Sequence, residues 1–148
     1  MPTRKATAIW EGGLKGGKGS FKGESGAIDA SYSFGSRFES GRGSNPEELL
    51  AAAEAACYSM ALSAGLEAAG TPARRVETRA ACTVEKVGDG FEITGIKLVV
   101  RATVPNVDRD TFAATARKTK ETCPVSKALR AVKIDLDAEL ADELASTP

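Results

Sequence analysis

Two cysteines, Cys57 and Cys123, are the residues best suited to chemistry in this sequence, and they sit in opposite settings. Cys123 precedes Pro124 in Thr122-Cys123-Pro124-Val125-Ser126-Lys127-Ala128-Leu129, where a proline in the first turn makes the cysteine the N-cap of a short helix. With Lys120 and Lys127 beside it, that thiol has the local setting that lowers a pKa. Cys57 falls in the middle of a long helical run, where backbone amides are already used and the neighbours are small or apolar. Glu54, three residues earlier on the same helical face, disfavours a thiolate there. Local physics alone therefore makes Cys123 the reactive thiol. It leaves Cys57 as plain core or as a protected reactive group.

The totals exclude much else. The 148 residues contain no histidine, which removes the Cys–His dyad, the Ser–His–Asp triad and most zinc and iron sites. Twenty basic and twenty acidic side chains cancel, so charge gives no reason to expect nucleic acid or an anionic membrane as partner. No apolar run approaches the ~20 residues of a membrane span, and no signal peptide is visible. Three cysteines are too few and too widely spaced for a secreted disulfide scaffold, so the expected compartment is the cytoplasm. The spacing Gly12-x4-Gly17-Lys18 mimics a phosphate-binding loop, but Gly19 follows where Ser or Thr is needed and no helix comes next. It reads as a glycine-rich turn.

The elements that must position the thiols are legible in order. Residues 5–11 form a first strand, returned by 18–22; an extended piece follows through Ser33-Phe34-Gly35-Ser36-Arg37-Phe38-Glu39. Arg37, between two phenylalanines, reads on its own as a surface arginine whose stem covers apolar neighbours. Asn45 caps the long helix, with Pro46 at its first position and Glu48 placed for a capping box. That helix runs to Gly70, about 24 residues or roughly 36 Å. Val76, Thr78, Ala80, Cys82 and Val84 are the inward set of a strand, which makes Cys82 a small core residue. Gly88-Asp89-Gly90 closes a hairpin into a second strand. There the inward set passes from odd (Phe91, Ile93) to even (Ile96, Leu98, Val100, Ala102, Val104) at Gly95, as at a β-bulge. Asp108 caps a further helix, with Phe112, Ala113 and Ala116 inward. A strand holding Val132, Ile134, Leu136, Ala138 and Leu140 closes the domain, and the last eight residues read as a tail. The expectation is one α+β domain spanning 1–148.

Three stretches decide the family reading: Asn45-Pro46-Glu47-Glu48-Leu49, Ala55-Ala56-Cys57-Tyr58-Ser59-Met60-Ala61-Leu62 and Cys123-Pro124-Val125-Ser126. Together they resemble the signatures of the OsmC/Ohr family of thiol-dependent peroxidases, and Glu24-Ser25-Gly26 with Arg37-Phe38-Glu39 fits the OsmC branch. The resemblance implies an intertwined homodimer with antiparallel sheets packed around the long helix, and no metal, flavin or haem. It makes Cys57 the peroxidatic cysteine, Cys123 the resolving one, and Arg37 with Glu47 the charged pair that holds Cys57 as thiolate. Substrates would be organic hydroperoxides, hydrogen peroxide also being possible, in oxidative or osmotic stress defence. An external dithiol, of the dihydrolipoyl type in part of the family, would reduce the disulfide. Glu47 and Cys57 are ten residues apart on one helix, about 15 Å along its axis, so they cannot meet directly. Either Arg37 bridges part of that gap, or the Arg–Glu pair comes from the other subunit, and the interface is the favoured expectation. Glu54 departs from the expected neutral residue or histidine. Facing the sulfur it would raise the thiol pKa, and it is expected to face solvent instead. A non-catalytic dimeric module and a redox sensor that oxidises without turnover are the competing readings.

Overall fold

The computed structural model describes residues 1–141, so all but the first residue of the expected eight-residue tail lies outside the described residues. The chain divides into two compact units, Met1–Leu49 and a second from Leu50 onward. In the first, β1 (Ala6–Glu11), β2 (Lys18–Gly23) and β3 (Asp29–Tyr32) form an antiparallel meander. The Gly12–Lys18 segment is the β1–β2 turn, closed by the Gly17 amide on the Gly13 carbonyl, as the missing Ser/Thr and helix required. Trp10 and Phe21 pack against Tyr32, each with ring centroids 5.4 Å away.

Residues 34–38 correct the extended reading, because they form a short helix, α1 (Phe34–Phe38). Ser33 and Ser36 exchange side-chain and backbone hydrogen bonds in a capping box, which stabilises one helical turn that apolar spacing does not announce. Ser36 also donates to the Ser44 carbonyl and so ties α1 to the loop before the next helix.

That helix, α2 (Pro46–Ala68), begins at Asn45, whose Oδ1 accepts from the Glu48 amide at 2.7 Å. The Glu48 carboxylate accepts from the Ser44 hydroxyl, so only half of the expected capping box forms. Gly70 ends the helix at φ +83°; its amide donates to the Glu67 carbonyl and the Thr71 amide to that of Leu66, the paired bonds of a Schellman motif. With 23 residues and a window of mean hydropathy 1.4, α2 is long and apolar enough to cross a bilayer, contrary to the sequence expectation. Alanine supplies much of that hydropathy. Length and composition are shared by spans and core helices, and Glu54, Tyr58, Leu62 and Leu66 form a wholly buried i, i+4 ridge on α2.

The second unit places that ridge in a core with Ile96, Leu98, Val100 and Ala102 of a second sheet. Its strands β4 (Arg75–Val87) and β5 (Gly90–Thr103) pair as the expected hairpin. The register slips where Thr83 faces Gly95 and Val84 faces Ile93, leaving Thr94 as the extra residue of the bulge. Beyond it Phe91 is exposed rather than inward. Helices α3 (Arg109–Thr122) and α4 (Pro124–Ala128) then lead to β6 (Ile134–Leu140). β6 pairs with β5 in parallel, so this sheet is mixed rather than antiparallel as expected. A parallel return needs a crossover of a dozen or more residues, which α3 and α4 supply. The observed fold is α+β, with two three-stranded sheets and a long helix.

Candidate active site

α2 and α4 bring the two cysteines together. The Cys123 thiol donates to Cys57 Sγ at 3.0 Å, although 66 residues separate them, and both are free thiols. Cys57 is half-buried, whereas Cys123 is fully buried as the residue that ends α3 and caps α4. Cys82 packs against the core from β4, in the expected role.

The local electrostatics reverse part of the sequence reading. Burial pushes the Cys57 thiol above its ordinary value, and the neighbouring Cys123 thiol raises it further. The Val125 backbone N–H, in the first turn of α4, hydrogen-bonds Cys57 and acts in the opposite direction. A free amide of α4 thus serves Cys57, a residue of another helix, while the Cys123 side chain makes no cap hydrogen bond. Beside the pair, Tyr58 donates its hydroxyl to the Ala116 carbonyl at 2.8 Å, and burial pushes its phenol well above the usual range.

Glu54 is the clearest correction. It does not face solvent: it is fully buried, Oε1 accepts a hydrogen bond from the Ser126 hydroxyl, and Oε2 has no hydrogen-bond partner among the described residues. Its negative charge adds to the rise of the Cys57 pKa. The signal was present in the sequence, because Glu54 stands four residues before Tyr58 in the period that Leu62 and Leu66 continue. Ser126 and Val125 were missed as contributors, since neither residue type announces a contact with Glu54, 72 residues from Ser126, or with Cys57.

In the first unit, Arg37 and Glu47 form the anticipated charged pair. Arg37 Nε and Nη2 approach the Glu47 carboxylate at 2.9 to 3.3 Å in a forked arrangement. Glu47 is buried while Arg37 keeps partial exposure, and the guanidinium lies 5.0 Å over the Phe38 ring. The α1 turn and the first turn of α2 present these two residues to each other.

The sequence and the fold have counterparts among known proteins. Residues 39–137 match the family model described as "OsmC-like protein". The chain is 46% identical over 138 residues to Peroxiredoxin OsmC of Escherichia coli, covering 93% of this chain and 96% of that protein. The chain belongs to the OsmC family. An equally similar OsmC relative is Peroxiredoxin OsmC of Shigella flexneri, at 46% identity. Among solved structures, the organic hydroperoxide resistance protein OhrB of Bacillus subtilis aligns with TM-score 0.69 at 28% identity, over 93% of this chain and 98% of that one. An OsmC-like protein from Mycoplasma pneumoniae aligns with TM-score 0.74 at 14% identity, over 95% and 99% of the two chains, and shares the OsmC fold.

Proposed function

We propose that this protein is a cysteine-based peroxidase that reduces organic hydroperoxides through Cys57 and Cys123. The observation that carries the reading is the 3.0 Å approach of two free sulfurs from different helices. A disulfide needs about 2.05 Å, so closure requires a movement of only about 1 Å. Family membership, with relatives named as a peroxiredoxin and as a hydroperoxide resistance protein, supports the same chemistry.

In this mechanism the Cys57 thiolate attacks the terminal peroxide oxygen. The S–O bond forms, the O–O bond breaks, and the departing alkoxide takes a proton and leaves as alcohol. The family resemblance assigns the Arg37–Glu47 pair, supplied across the subunit interface, to stabilise the thiolate and the negative charge developing on the leaving oxygen. Cys123 then attacks the Cys57 sulfenic acid: the S–S bond forms, and the oxygen leaves as water. An external dithiol reduces the disulfide by exchange and becomes oxidised in turn. Such a cycle suits a reducing compartment, where structural disulfides are rare and catalytic ones transient. A homodimer is part of this reading. It is supported by the apolar residues that α2 leaves outward in this chain, Met60 foremost at 79% exposure.

The test is to treat the reduced protein with a stoichiometric organic hydroperoxide and map cross-links by peptide mass. A rapid Cys57–Cys123 bridge, with Cys82 unmodified and turnover restored by a dithiol, is expected. Arg37→Ala should slow the hydroperoxide step by about tenfold or more. Persistence of reduced Cys57, or reaction at Cys123 alone, would overturn the assignment; oxidation without turnover would leave a redox sensor.

A further inference from the structure

The buried ridge of α2 contains an acid where hydrophobic packing asks for a leucine. Glu54 shares complete burial with Tyr58, Leu62 and Leu66, yet only one of its two oxygens has a partner among the described residues. A half-satisfied buried carboxylate is costly, and a residue kept at such a cost calls for a reason beyond packing. Its one hydrogen bond supplies a candidate. Glu54 lies three residues before Cys57 on α2, and Ser126 lies three residues after Cys123 on α4. The same two helices are therefore joined at Cys57, by the sulfur pair and the Val125 amide, and away from both cysteines by the Ser126–Glu54 bond. α4 is five residues long, too short to hold its own orientation by internal hydrogen bonding.

We infer that Glu54 is a positioning residue for disulfide formation, acting through Ser126 to hold α4, and hence Cys123, over Cys57. This rests on the peroxidase reading above. The step served is the second one: the Cys123 thiol attacks Cys57–S–OH, the S–O bond breaks, and water leaves with the thiol proton. Once oxygen has been added to Cys57, the sulfur pair no longer joins the helices. The Ser126–Glu54 bond does not involve the modified sulfur and still keeps the attacking thiol in place.

Rapid-quench kinetics separates the two steps, with sulfenic acid trapped by a cyclic dione and disulfide read by mass. Ser126→Ala and Glu54→Leu should slow closure by about tenfold or more, with trapped sulfenic acid accumulating, because a displaced nucleophile loses most of its effective concentration. Glu54→Gln keeps an oxygen that accepts from Ser126 and should restore closure to the wild-type rate. A purely structural role would not single out the second step or be rescued by glutamine. Wild-type closure rates in both Ser126→Ala and Glu54→Leu would overturn the proposal, as would closure in Glu54→Gln as slow as in Glu54→Leu. If Glu54→Leu does not fold, Ser126→Ala alone decides. If the wild type forms no sulfenic acid at all, the peroxidase reading fails. Closure driven by diamide, an azo oxidant of dithiols, then still compares the variants and tests the clamp separately.

Discussion

A cysteine in mid-helix receives nothing from its own backbone amides, and Cys57 obtains a favourable contact from the Val125 amide of α4. Burial and the adjacent Cys123 thiol outweigh it, so within this chain the Cys57 thiol stays above its ordinary value of 9.0. The thiolate is the nucleophile, so in Arg37→Ala, which lacks the stabilising cation, alkylation of Cys57 should still be rising with pH beyond that value. Glu54 adds a like charge that favours the protonated thiol. Glu54→Gln removes it, lowers the Cys57 pKa and moves the rate profile toward lower pH. Ultraviolet thiolate absorbance across a pH series reads this directly. An unmoved profile, or one displaced to higher pH, would contradict the placement of that charge. Glutamine is thus expected to speed the first step while leaving the clamp intact, which separates the two effects of one residue.

Among the elements, α2 depends most visibly on its ends. Asn45 accepts from the Glu48 amide and donates through Nδ2 to the Ser36 carbonyl, so one side chain both starts the helix and ties it to α1. Asn45→Ala should cost about 1 to 2 kcal/mol, measured by denaturant unfolding. A cost near zero would mean that Glu48 and Ser44 suffice to start the helix. The boundaries of α2, the β4–β5 hairpin and its bulge were legible because proline, glycine and side-chain parity act within a few residues. α1 was not, since a five-residue turn held by Ser33 and Ser36 has no apolar period to detect. The direction of β6 was hidden for a different reason: strand alternation is the same in parallel and antiparallel pairs, and only the path through α3 and α4 decides between them. At the site, the cysteines and the Arg37–Glu47 pair were visible through family motifs. The buried setting of Glu54 was visible only through its spacing from Tyr58, Leu62 and Leu66.

For the molecule as a whole, the separation of the two sulfurs along the chain matters as much as their closeness in space. A bond between Cys57 and Cys123 encloses β4, β5 and α3 in one covalent loop. A loop of that length restricts the unfolded chain by about 4 kcal/mol in the chain-entropy view. The oxidised protein should therefore melt higher than the reduced one, by a shift on the order of 10 °C. Calorimetry of the two forms, with Cys123→Ser as a control that cannot close the loop, measures it. Equal melting temperatures would mean that strain in the oxidised state cancels the gain. If the shift is found, the protein resists heat and proteolysis best just after meeting its oxidant. Its durability would then rise and fall with the supply of reductant.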